Sequence, residues 1–176
     1  MTLHQRNWTL GIKLTLVAAP LLLLALVSIG LTLWVSWQLD GGAAAVNEAG
    51  RMRMQAYRMS LSIGTGDVAA LPQEVQQFED SLKLLREGDP ERPLFMPWDD
   101  TVRARYATVE SHWTRFRDRW TRGDAPAVSG IVADTAQFTD RIDAMVGAIE
   151  AHLSRWTTLL HLLQVGVMAL AVLGSA

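Results

Sequence analysis

No cysteine occurs anywhere in the chain. A disulfide framework is excluded, and any folded part must stand on packing alone. Charge is missing just as completely from two long stretches. Leu14 to Leu39 and Thr157 to Ala176 contain no Asp, Glu, Lys or Arg, while all 18 acidic and 14 of the 16 basic residues lie between them. No segment sustains the apolar–polar alternation of a half-buried strand. His4, His112, His152 and His161 show no HExxH or other metal-ligand spacing. No Ser/His/Asp, Cys/His or paired-carboxylate arrangement points to catalysis, and no glycine loop is built to cradle phosphate. The expectation is a non-enzymatic segment with no metal and no cofactor.

What the chain does have is reach. A hydrocarbon core of about 30 Å takes about 20 apolar residues in a helix that rises about 1.5 Å per residue. Both uncharged stretches meet that length, and the overall net charge of −2 hides the segregation. The expected layout is a cytoplasmic N-terminus at 1–13, a first span at 14–37, an external domain at 38–156 and a second span at 157–176, apparently truncated. Arg6 and Lys13 precede the first span and Asp40 follows it, which keeps the N-terminus inside and the domain outside. Trp8, Trp34, Trp37 and Trp156 stand near span edges, where an indole suits the headgroup layer. Pro20 is tolerable in lipid and predicts at most a kink. A cleaved signal peptide is the rival, with Ala43-Ala44-Ala45 as the cleavage candidate, but its apolar core is ordinarily only about 7–15 residues long.

Between the spans, apolar residues recur at helical spacing four times. The second segment steps through Leu71, Val75, Phe78, Leu82 and Leu85, and the third through Val102, Tyr106, Val109, Trp113, Phe116 and Trp120. The fourth runs Ile131, Thr135, Phe138, Ile142, Met145 and Ile149, with Trp156 one heptad on. Gly64 and Gly66 mark a turn after the first helix. Gly88-Asp89-Pro90, with Pro93 and Pro97, ends the second and forms a rigid connector. Asp99 or Asp100 caps the third, Gly123 follows it, and Asp124 with Pro126 leads into the fourth. The fold class is all-α, an antiparallel four-helix bundle flanked by two transmembrane helices. Gly41-Gly42 weakens the first helix locally, yet both it and the fourth are expected to pass straight from the bundle into lipid.

The first helix departs from the pattern. Stepped as its neighbours are, it gives Val46, Gly50, Arg53, Tyr57, Ser60 and Gly64, which sets a guanidinium on the seam and sends Arg51, Gln55 and Arg58 to the far side. Such a charge is costly unless paired. Ala49, Gly50 and Ala56 are small enough to admit a second helix beside it. One outcome is an ion pair with a bundle carboxylate such as Glu79, Asp140 or Glu150, or escape of the head group to water. The other is dimerisation about this helix, with two Arg53 side chains facing each other. At ~6 Å and an effective dielectric of ~20 their repulsion is roughly 3 kcal/mol, which one small anion between them would offset.

The segment Val46-Asn47-Glu48-Ala49-Gly50-Arg51-Met52-Arg53-Met54-Gln55-Ala56-Tyr57-Arg58 resembles the sensing segment of NarX/NarQ-type nitrate/nitrite sensor histidine kinases, to which the sensor of type IV pilus chemoreceptors is related. The resemblance implies that Arg53 binds nitrate or nitrite at the axis of a homodimer, one arginine from each chain, with Gly50 and Met54 lining the site and Asn47 and Arg58 belonging to the same segment. It also implies a bacterial inner-membrane protein with a periplasmic sensor domain. Its output would be a cytoplasmic HAMP and kinase module acting on a response regulator in a two-component system. Arg51 and Glu48 depart from the family pattern and change the charge within a turn of the site. The alternative is a chemoreceptor-type sensor for another ligand or a partner protein, and a purely structural anchor is a third reading. His161, in the second span with Gln164 three residues on, is expected to hydrogen-bond across the spans rather than to ligate haem. Arg115, Arg117, Arg119 and Arg122 interleave with core positions and read as a solvated face, with no nucleic-acid partner.

Overall fold

The computed structural model describes residues 10–67, 69–89, 91, 93–121 and 128–175. Four helices follow one another: α1 (Leu10–Thr65), α2 (Leu71–Glu87), α3 (Asp100–Thr121) and α4 (Val128–Ser175). The chain divides into two compact units. One comprises Met1–Ser36 with Trp156–Ala176, the other Trp37–Arg155, and α1 and α4 each supply residues to both.

In the Trp37–Arg155 unit the helices pack as a bundle, and three of the expected seams form its core. Phe78, Leu82 and Leu85 of α2 are buried, as are Val102, Tyr106, Val109, Trp113 and Phe116 of α3. Ile131, Thr135, Phe138, Ile142, Met145 and Ile149 of α4 are buried with them. Phe78 sits at the centre, its ring 4.2 Å from Trp113 and 5.5 Å from Phe138, while Phe116 lies 5.2 Å from Phe138. Each aromatic pair adds about 0.5–1.5 kcal/mol beyond its buried area. The hydroxyls of Thr135 and Thr139 are buried but satisfied, donating to Ile131 O at 2.7 Å and Thr135 O at 3.0 Å.

Local chemistry sets the helix ends. Pro72 stands in the first turn of α2, where its missing N–H costs nothing. Gly88 closes α2 with φ of 77°, a conformation that disfavours any side chain, and its N–H bonds Leu84 O at 2.8 Å. The connector then folds back through Asp89 N–H to Leu94 O at 3.0 Å and buries Leu94 and Met96. Asp99 is the cap of α3: its Oδ1 accepts from Val102 N–H at 2.8 Å. Gly123, Asp124 and Pro126, like Trp8 and Arg6, lie outside the described residues.

The glycine pair of α1 has a packing role. A methyl group on Gly41 would collide with the Phe95 ring, and one on Gly42 with the Leu153 side chain. The helix gives up local propensity to let these neighbours approach.

In the other unit, Leu21, Leu22, Leu23, Leu26, Val27, Ile29 and Leu33 of α1 are exposed. Among the described residues α1 is the one helix long and apolar enough to cross a membrane. The Trp34 and Trp156 rings meet edge-on at 5.3 Å. The polar link between α1 and α4 here is Gln164 Nε2 donating to Thr32 Oγ1 at 3.4 Å. The expected cross-helix bond therefore belongs to Gln164, and His161 is exposed instead.

Candidate functional site

The face that α1 gives to the bundle is Ala45, Ala49, Met52, Ala56 and Met59, all fully buried, with Ile63 packed beside them. Their spacing is 4, 3, 4, 3, 4. The expected seam through Val46, Gly50, Arg53 and Tyr57 is thus out of register by one residue, a rotation of about 100°. Arg53 is not an interior residue. Gln55, expected on the far side, is instead 6% exposed, held by Nε2 bonds to Gln77 O at 3.2 Å and Ser81 Oγ at 3.3 Å. The physical reason is economy of space. Alanine and methionine fill a close helix–helix contact, whereas Tyr57 and Leu61 belong to a second stripe that points outward, with Val46 half-buried against the core at its edge.

Arg53 lies at the α4 edge of that outward stripe. Its Nη1 donates to Asp143 Oδ1 at 2.7 Å, with the two side chains 47% and 49% exposed. The carboxylate is Asp143, not Glu79, Asp140 or Glu150. Glu79 is occupied by Arg117 Nη1 at 2.9 Å, an ion pair that raises the Arg117 pKa, and by Trp113 Nε1 at 3.3 Å. A pair as exposed as Arg53–Asp143 is worth about 0–1 kcal/mol, so it holds the guanidinium in place without committing it. Gly50, one turn earlier, faces open space: apart from its own helix backbone and chain neighbours, nothing among the described residues lies within 4 Å of where a Cβ would stand. Nothing in the chain's own packing requires glycine there. Asn47, Met54, Tyr57 and Leu61 are exposed on the same side.

The structure does not bring all five expected site residues together. Arg53, Gly50 and Asn47 lie along the outward stripe. Met54 borders both that stripe and a cleft of about 500 Å³ between α1 and α2, which it lines with Arg58, Arg51, Gln55, Gln77 and Asp80. Arg51 reaches back one turn to Glu48 at 3.1 Å, a carboxylate 4% exposed. Asp143, Gln77 and Asp80 carried no sequence signal of their own. Only the corrected phase of α1 sets them against it.

A second polar cluster ties α3 to α4. Asp99 Oδ2 lies 2.9 Å from His152 Nδ1 and 3.0 Å from Arg155 Nη2. The Val102 amide, the His152 bond and the nearby cationic groups together outweigh desolvation and lower the Asp99 pKa to about 2. Burial pushes the Tyr106 phenol up. Its hydroxyl donates to Leu82 O at 2.9 Å and accepts from Arg86 Nε at 3.3 Å. His112 is lowered by burial and then by Arg141 and Arg115. Among the described residues no group of three or more His, Cys, Asp or Glu could hold a metal ion.

Residues 34–138, well over half of the chain, match the family described as the N-terminal part of the type IV pili methyl-accepting chemotaxis transducer, PilJ. The chain belongs to this family. The matched span contains the whole Val46–Arg58 segment, and with it the outward stripe and the α1 wall of the cleft. A curated relative is the nitrate/nitrite sensor protein NarQ of Escherichia coli (strain K12), 27% identical over 137 residues. That alignment covers 77% of this chain and 23% of NarQ, so the chain spans about a quarter of the length of that relative. The resemblance to NarX/NarQ-type sensors therefore reaches far beyond the segment that first suggested it. The chain is a sensor domain of the NarQ-like and chemoreceptor-type transmembrane signalling proteins.

Proposed function

We propose that two copies of this chain bind one nitrate or nitrite between their Arg53 side chains and relay the event across a membrane. The observation that carries this is the open face of α1. A half-exposed arginine, a glycine whose missing side chain nothing in this chain fills, and the exposed Met54, Tyr57 and Leu61 lie side by side on it. A second copy packed there would bring the two guanidinium groups together, and their planar donor forks match a planar oxyanion. The weak Arg53–Asp143 pair is one that such an anion can displace. NarQ, which by its name senses nitrate and nitrite, is the relative that supports this choice of anion.

The layout is a first span at 14–37, a periplasmic sensor at 38–156 and a second span at 157–176. Supporting the second span are exposed Leu159, Leu162, Val165, Met168 and Leu170 in an uncharged stretch, apolar surface that suits lipid. In the relay, anion binding draws the two α1 helices together and displaces α1 against α4. The spans, as parts of the same helices, carry that displacement to a HAMP linker, a histidine kinase and its response regulator. A second reading, chemoreceptor output in response to another ligand, is favoured by the match to a chemotaxis transducer family.

Calorimetry on the full chain in lipid nanodiscs, titrated with nitrate, nitrite and chloride, tests the anion. The expected result is saturable binding near half an anion per chain, absent in Arg53→Ala. Equal heats for all three anions, or binding that survives the substitution, would sink the nitrate reading and leave the chemoreceptor one.

A further inference from the structure

The α1–α2 cleft is separate from the Arg53 position: its lining is Arg51, Met54, Gln55, Arg58, Gln77 and Asp80. Its volume of about 500 Å³ lies within the roughly 300–1,000 Å³ usual for small-molecule sites. The charges around it balance. Arg51 and Arg58 are cationic, while Asp80 and the Glu48 carboxylate that Arg51 touches are anionic. A cleft of two cations and two anions has no net preference for a bare anion such as nitrate, and its charges of both signs complement a dipole.

The hydrogen-bond inventory points the same way. One guanidinium nitrogen of Arg51 faces Glu48, which leaves most of its donor fork for the cleft. Arg58 makes no ion pair among the described residues, and it is exposed. On the acceptor side, Asp80 Oδ1 takes a bond from Gln76 Nε2 at 2.9 Å, and its second oxygen is free to accept. Gln55 belongs to the cleft wall and is 6% exposed. Its Nε2 is engaged twice, but its Oε1 is buried without a donor. Buried polar atoms are ordinarily satisfied, so an acceptor left open beside a cleft asks for a donor from a ligand.

We propose that this cleft binds a free α-amino acid. Its carboxylate bonds the Arg58 and Arg51 guanidinium groups, its ammonium group sits between Asp80 and Gln55 Oε1, and its side chain packs against the exposed thioether of Met54. The site does not use Arg53, although it shares the exposed Met54 with the face on which a second copy is proposed to pack. It gives the sensor a second, organic input on the helix that carries the first.

The test uses the full chain in nanodiscs, with each of the twenty L-amino acids screened by thermal shift and the responders measured by calorimetry. At least one amino acid is expected to bind saturably, with affinity roughly tenfold to a hundredfold weaker in Arg58→Gln and in Asp80→Asn, the loss of one charge-assisted contact. The des-amino and des-carboxy analogues of the responder are expected not to bind. Arg53→Gln should leave amino-acid binding intact while abolishing any response to nitrate, so the two sites fail separately. No response to any of the twenty, binding unchanged in both cleft variants, or equal binding of the des-amino acid would overturn the proposal. Both substituted side chains are exposed and far-UV circular dichroism checks their folding. If Arg58→Gln does not fold, Asp80→Asn decides.

Discussion

The two faces of α1 within the Trp37–Arg155 unit are built on different logics. The inward face is Ala45, Ala49, Met52, Ala56 and Met59, every one fully buried. The outward face is Asn47, Gly50, Arg53, Met54, Tyr57 and Leu61, mostly exposed and mixing charge, amide, ring and bare backbone. The first makes one chain fold. The second is more than that chain needs for folding, since its glycine meets nothing and its arginine finds only a surface partner. The difference teaches that one bundle helix can carry on its outward face chemistry that packing the bundle does not require.

Substitutions that ask the two faces the same question sharpen the contrast. The largest effect belongs to the inward face. Met52→Ala is expected to cost about 2–5 kcal/mol through the cavity it leaves, whereas Met54→Ala should stay within about 0.5 kcal/mol, both read by urea unfolding. Equal costs would erase the distinction between the faces. Next comes Asp99→Asn, which tests whether the α3–α4 ties contribute to the bundle's stability alongside the inward face of α1. Asparagine still caps α3, so the expected loss, about 1–2 kcal/mol at neutral pH, is that of the carboxylate's charge beside His152 and Arg155. The Asp99 pKa falls from 3.8 unfolded to about 2 folded, so its contribution is present above pH 3.8 and lost as the pH drops through about 2. Denaturation midpoints of wild type and variant should therefore converge across that window.

Gly50→Ala should raise the stability of the single chain by roughly 0.5–1 kcal/mol, because alanine suits a helix better and has room. The same change is expected to weaken dimerisation, seen by analytical ultracentrifugation, as its methyl group occupies space the proposed partner needs. Arg53→Ala should change stability little, by at most about 1 kcal/mol in thermal melting. Its nitrate response should nonetheless vanish, and a fall of several kcal/mol in stability would instead return Arg53 to a structural role.

Most of the bundle was legible from its periodicity. The seams of α2, α3 and α4 are written in Phe, Leu, Ile, Val and Trp, large residues whose burial drives the fold and whose spacing is hard to misread. The seam of α1 was not, for a definite reason. Its inner stripe is mostly alanine, a weak hydrophobic signal, and its outer stripe carries Tyr57 and Leu61, with half-buried Val46 at its edge, a stronger one. A helix with a buried stripe and a second apolar stripe beside it gives two periodic signals, and here the stronger one is not the core. Arg53 was still found, since both the pattern break and the family segment pointed to it. Asp143 was not, because its approach to Arg53 depends on how two helices ninety positions apart in sequence are turned against each other.

The glycine pair at the foot of the bundle has a consequence for heredity. Because Leu153 fills the room that a side chain on residue 42 would need, neither position is free to drift alone. A lineage that acquires bulk at 42 must lose it at 153, and the same bargain binds 41 to 95. These two couples should therefore change together among descendants of this gene, a linked inheritance set by shape alone. A breeder of variants who swaps the bulk across one couple should recover what either half of the swap destroys.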